Sequence, residues 1–186
     1  MAKQRVLLTG AAGYIAGQLL PAFQGYDLRL IDVRKENREG QPVEGIETVD
    51  LLGDDGETLS SLFSGVDVVV HTGHAGAASG TTQSLQAQYE LARRNIDMMH
   101  RVYRLALEAG VRRVVATSTN QAAKWYEQPY YAGLRDRVGP EDYPRPDTFY
   151  GWAKAAYESL GFLYACGSLG RKLEVVQIRI VVPREI

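Results

Sequence analysis

Val6-Leu7-Leu8-Thr9-Gly10-Ala11-Ala12-Gly13-Tyr14-Ile15-Ala16-Gly17 reads as a short apolar strand, a glycine turn and the start of an amphipathic helix. Gly10 allows a tight turn, Gly13 lets the backbone approach a pyrophosphate, and Gly17 lets the helix pack close to the strand. A strand, glycine turn and helix in this order predict a parallel sheet whose carboxyl edge carries a dinucleotide crevice.

The rest of the chain repeats the same alternation of short Val/Ile/Leu runs and longer segments with apolar residues three and four apart. Strands are expected at Arg5 to Thr9, Asp27 to Asp32, Gly45 to Asp50, Val66 to His71, Arg113 to Ser118 and Glu174 to Ile180. Those at 66, 113 and 174 read as buried on both faces. Helices are expected from Tyr14 to about Gln24, Leu59 to Phe63, Leu85 to Ala109 and Tyr150 to about Ser168, with Gly25, Gly65 and Gly110 as left-handed caps just past three ends. Leu85, Tyr89, Ala92, Ile96, Met99, Tyr103 and Ala106 share one stripe, read as packing on the sheet with a dimer face as the alternative. Asn120 to Thr148, with Trp125, Tyr126, Tyr130, Tyr131 and Tyr143 among prolines and glycines, is the least regular stretch. The fold class is α/β, a doubly wound parallel sheet in one domain over 1–186.

Composition narrows the partners. The 186 residues carry 21 Lys plus Arg against 22 Asp plus Glu, which removes the electrostatic reason to expect nucleic acid or an anionic membrane. A single cysteine, Cys166, forms no internal disulfide or thiolate cage and is expected as buried packing in the last helix. His71, His74 and His100 are too scattered for a metal triad, so no metal is expected. Residues 1–5 lead into the first strand without a signal-peptide core, and no apolar run is long enough to span a bilayer, so the expected location is the cytoplasm.

Two further places carry chemistry. Asp32 ends the second strand about 20 residues past the glycines, where an acid accepts hydrogen bonds from a ribose diol and repels a 2′-phosphate. This favours NAD over NADP, with Arg34 and Lys35 close by in sequence. In Tyr150-Gly151-Trp152-Ala153-Lys154 the four-residue spacing puts the phenol and the ammonium on one helical face. A free phenol titrates near pH 10, and a neighbouring cation favours the phenolate, which suits proton transfer to or from a sugar hydroxyl. The fifth strand ends in Thr117-Ser118-Thr119-Asn120-Gln121, so a hydroxyl there lies at the ligand edge of the sheet.

Together these residues resemble the extended short-chain dehydrogenase/reductase family, also known as NAD-dependent epimerases and dehydratases. The likeness rests on Thr9-Gly10-x-x-Gly13-x-x-x-Gly17, Asp32, Asp50-Leu51, Val68-Val69-Val70-His71-Thr72-Gly73, Asn95 and Tyr150-x-x-x-Lys154. It implies a Rossmann fold and an NAD site formed by Gly10, Ala12, Gly13, Tyr14, Ile15, Asp32, Arg34, Asp50, Leu51, Thr72, Gly73, Asn95, Tyr150 and Lys154. It makes Tyr150 the catalytic acid/base, with Lys154 tuning it and binding the nicotinamide ribose. Thr119 takes the place of the catalytic hydroxyl, with Ser118 one residue before it as the other candidate.

Within the family, Ser118-Thr119-Asn120-Gln121 and Arg145-Pro146-Asp147-Thr148-Phe149-Tyr150 look most like uronate dehydrogenases, which oxidise C1 of a hexuronate by hydride transfer to NAD. The likeness places His74, Asn120 and Gln121 at the substrate, although Gln121 stands where those enzymes carry a histidine. It also implies a homodimer through the helices at 85–109 and 150–168. Family members continue past the sixth strand, so the resemblance implies that most of a C-terminal substrate subdomain is lacking here. An epimerase or dehydratase with recycled NAD, and a non-catalytic dinucleotide-binding module, are the alternative readings.

Overall fold

A computed structural model describes residues 3–54, 56–76 and 83–181. Six parallel strands form one sheet in the order β3-β2-β1-β4-β5-β6. They are β1 (Arg5–Thr9), β2 (Asp27–Asp32), β3 (Ile46–Thr48), β4 (Val68–His71), β5 (Arg113–Thr119) and β6 (Glu174–Ile180). The order reverses direction between β1 and β4, which puts the ligand crevice of a doubly wound sheet at the carboxyl ends of these two strands. The helices are α1 (Tyr14–Leu19), α2 (Gly56–Phe63), α3 (Leu85–Glu108), α4 (Glu127–Tyr131) and α5 (Phe149–Ala165).

Helices α2, α3 and α5 cover one face, where Leu7, Val69, Val114 and Ala116 of the sheet meet Phe63, Met99, Tyr103 and Tyr157. Helix α1 covers the other face, over Val6, Leu8 and Val70. That cover does not extend to β6, and Val176 and Ile178 stay 42% and 48% exposed, so the expectation of a sixth strand buried on both faces is corrected. Among the described strands β6 is an edge, and Glu174, Val176 and Ile178 along it stay exposed.

Other departures have local causes. α1 gives way to a 3₁₀ turn over Leu20–Phe23 because Pro21 has no N–H to continue the ladder. Gly65 and Gly110 are left-handed caps with φ of +67° and +77°, but Gly25 is not left-handed. α5 ends before a left-handed Gly167, which leaves Cys166 exposed at its C-cap rather than buried as expected. On α3 the C-terminal part of the apolar stripe is core, whereas Leu85 and Tyr89 remain exposed. The stretch expected to be irregular starts as a 3₁₀ segment over Asn120–Tyr126 and α4. Beyond α4 it is pinned by the Arg135–Asp142 pair, by Arg135 stacked 4.5 Å from the Tyr126 ring centroid, and by the Tyr126 hydroxyl donating to the Tyr143 carbonyl at 3.1 Å.

Candidate active site

The crevice is built first from backbone. Gly10 has φ +74°, and a Cβ there would sit 2.5 Å from the Gly73 nitrogen, so the β1 turn and the loop after β4 touch main chain to main chain. The Thr72 hydroxyl locks this contact by donating to the Thr9 and Gly10 carbonyls at 2.9 and 3.2 Å. At Gly13 a Cβ would stand 3.0 Å from the Gly10 oxygen. Gly17 differs, because nothing lies within 4 Å of a Cβ there, so the expected close packing of helix on strand through this glycine is corrected.

Asp32 accepts from Ala12 N at 3.0 Å and from Arg34 N at 3.2 Å, so one carboxylate joins the end of β2 to the glycine loop. A carboxylate has about four acceptor positions, and those left over suit a diol. Asp50 shapes a turn: its Oδ1 accepts from Leu52 N at 2.8 Å, while its own N–H donates to Asp54 at 2.7 Å. Leu51 beside it is buried. Asn95, expected at the cofactor, is buried and spends its amide on the loop after β4, accepting from Ala75 N and donating to Ala75 O, both at 2.9 Å. Its observed work is to hold that loop.

A chain of hydrogen bonds connects this loop to the proposed proton-transfer pair. The Thr9 hydroxyl and His71 Nδ1 share a 2.6 Å hydrogen bond, Thr117 donates to the His71 carbonyl at 3.3 Å, and Lys154 Nζ donates to the Thr117 carbonyl at 2.9 Å. Burial, with the Lys154 charge second, pushes the His71 imidazole down to about 3, so it is neutral at physiological pH. Burial likewise lowers the Lys154 ammonium to about 8.

Thr148 caps α5, its hydroxyl accepting from Gly151 N at 3.0 Å, and so fixes Tyr150 in the first turn. Gly151 seats that turn directly on Gln121: a Cβ there would lie 3.0 Å from the Gln121 carbonyl carbon and 3.1 Å from the Pro146 Cβ. His74 packs edge-on against Tyr150 with centroids 5.2 Å apart, and its imidazole is lowered by burial first and the Lys154 charge second. A cavity of about 320 Å³ opens here between His74, Gln88, Thr148, Phe149 and Tyr150.

Consecutive strand residues point to opposite faces, and this separates the two hydroxyl candidates. Ser118 donates to Glu158 Oε1 of α5 at 2.7 Å, in a cluster closed by the Glu158–Arg179 pair, so Ser118 is committed to a structural network. Thr119 is buried, accepts from Gln121 N at 3.2 Å and donates to Asn120 Oδ1 at 3.3 Å. Asn120 is exposed and also lines a second cleft, of about 350 Å³, with Lys124, Tyr126, Tyr130 and Arg179. The Ser118–Glu158–Arg179 cluster, the Asn95 clamp and the Gly151 contact escape sequence reading; only the four-residue step from Lys154 to Glu158 hints at the first.

The model of the NAD dependent epimerase/dehydratase family matches residues 6–171. The chain belongs to that family. It is 32% identical over 183 residues to an L-arabinose 1-dehydrogenase (NAD(P)(+)) of Haloferax volcanii, covering 95% of this chain and 66% of that protein. It is 31% identical over 162 residues to a uronate dehydrogenase of Pseudomonas putida, covering 86% of this chain and 55% of the relative. A short-chain dehydrogenase/reductase superfamily protein from Agrobacterium tumefaciens, solved with bound NAD, superposes with a TM-score of 0.66 at 26% identity, over 95% of this chain and 48% of its own. The chain thus spans about half to two thirds of the length of these relatives.

Proposed function

We propose that this chain is an NAD-dependent sugar oxidoreductase that oxidises the C1 hydroxyl of a hexuronate or a related sugar. The observation that carries the reading is Tyr150 in the first turn of α5 with Lys154 buried one turn on, joined through Thr117, His71 and Thr9 to the Gly10–Gly73 crevice. The sugar dehydrogenases among the relatives support the same chemistry.

The crevice fits a dinucleotide because Gly10 and Gly13, lacking a Cβ, let the turn close tightly against Gly73 and the Gly10 carbonyl, so that main chain rather than side chain lines it. The backbone from Ala12 to Ile15 would hold the pyrophosphate, Asp32 the adenosine ribose, Asp50 and Leu51 the adenine, and Lys154 the nicotinamide ribose. The chemistry NAD supplies when bound is acceptance of a hydride from the carbinol carbon. Tyr150 takes the hydroxyl proton, Thr119 holds the same oxygen, and His74, Asn120 and Gln121 orient the sugar. Lys154 keeps a positive charge beside the phenol while that proton moves. We extend the reading to a cytoplasmic homodimer through the outer faces of α3 and α5, where Leu85, Phe162 and Leu163 are exposed.

Calorimetric titration of NAD, followed by NADH absorbance with hexuronates, pentoses and hexose phosphates, tests this. Tyr150→Phe should lower turnover about a thousandfold and leave NAD affinity within about threefold. Equal loss of both would make Tyr150 structural, and a sugar converted without NADH release would favour the recycled-cofactor chemistry.

A further inference from the structure

Lys154 is 3% exposed, yet no carboxylate contacts its ammonium among the described residues. Glu158, one turn further on, is occupied by Arg179 and Ser118. His71 from β4 and His74 from the following loop are held neutral, and the Thr117 carbonyl from β5 is a single acceptor for three ammonium protons. What remains is aromatic. The Lys154 Nζ lies 4.6 Å from the centroid of the Tyr157 ring and 5.9 Å from that of Tyr150. Tyr157 is fully buried in the main core, near Tyr103 of α3 and three residues after Lys154 on α5.

We propose that Tyr157 is a positioning residue for proton transfer: its ring face holds the Lys154 ammonium charged and directed at Tyr150 without supplying a counter-charge. A carboxylate in its place would neutralise the cation and cancel its effect on the phenol. A π face attracts the cation through its quadrupole, and the attraction is strongest where water is excluded, as here. The Tyr157 hydroxyl does not compete for the charge, because burial raises it well above the ordinary phenol range.

The test grades the ring electronically at nearly constant shape. Tyr157→Phe is compared with mono-, tri- and pentafluorophenylalanine at position 157 and with Tyr157→Leu. The Lys154 side-chain nitrogen is followed by NMR against pH, its resonance assigned with Lys154→Met. The phenylalanine variant should titrate like the wild type, successive fluorines should lower the midpoint stepwise, and pentafluorophenylalanine should lower it by about one pH unit. Turnover should then begin at a higher pH in the fluorinated proteins and return to the wild-type profile with phenylalanine. A midpoint that stays flat across the folded series would overturn the proposal, as would a fall with phenylalanine equal to that with the pentafluoro ring. If Tyr157→Leu does not fold, the fluorinated series still decides. The proposal rests on the reading of Tyr150 and Lys154 as a proton-transfer pair. The NMR titration nevertheless reads Lys154 whether or not any sugar is oxidised, so absence of turnover would count against the function alone.

Discussion

The glycine loop and the start of α5 serve one crevice, but they are built in opposite ways. The loop is made of main chain: Gly10 against Gly73, Thr72 on the Thr9 and Gly10 carbonyls, Asp32 on Ala12 N. The groups that would bind a dinucleotide there are the groups that hold the turn together. The α5 site is made of side chains that folding has to tolerate: an ammonium pulled down to about 8 by burial, and a Tyr157 hydroxyl with no hydrogen-bond partner among the described residues. Stability and function are therefore tied together in the first region and separable in the second.

The sharpest way to break this contrast is Gly10→Ala. A Cβ at φ +74° pressed onto the Gly73 backbone should cost about 3 kcal/mol and abolish NAD binding together with it, read by thermal melting and calorimetry. Tight NAD binding by a folded Gly10→Ala protein would show that the two are separable there after all. Next in size, Lys154→Met should lower turnover about a hundredfold while stability holds within about 1 kcal/mol or rises, because a desolvated charge is removed. Unfolding of that variant would erase the distinction between the regions.

His71 links the two regions, and pH reads it. The unfolded chain protonates this histidine near 6.5, while the folded chain keeps it neutral down to about 3. The unfolded state binds the extra proton in that window, so stability should fall as pH drops through it, by about 1.4 kcal/mol per unit for this one group. Denaturant melts between pH 7 and 4.5 should show a shallower acid slope for His71→Asn than for the wild type. The smallest effect is expected at Gly17→Ala. With open space around it and helical backbone, alanine there should add about 0.5 to 1 kcal/mol and leave NAD affinity unchanged. A loss instead would restore the close-packing role that the spacing alone suggests.

Legibility follows the same divide. The six strands, Asp32 at the end of β2, and Tyr150 and Lys154 one turn apart on α5 are all visible in the sequence, because φ requirements, period-2 runs and four-residue steps are local properties of a chain. The two strand-5 hydroxyls are not distinguishable by sequence. Register shifted by one residue exchanges the faces of the sheet, and only the Glu158–Arg179 pair arriving from α5 and β6 claims Ser118. The expected burial of β6 fails for a related reason, since a Val-rich run announces a strand but not whether a helix covers it.

The sequence by itself determined the parallel sheet, the glycine turn, the acid beyond it and the spacing of phenol and ammonium, each a matter of neighbours within a few residues. The tertiary structure decided what surrounds the Lys154 charge: a Thr117 carbonyl, two neutral histidines and the face of Tyr157, brought together from β4, β5 and α5. Charge in a buried site responds to whatever lies within a few ångströms in space, and chain order does not specify that neighbourhood.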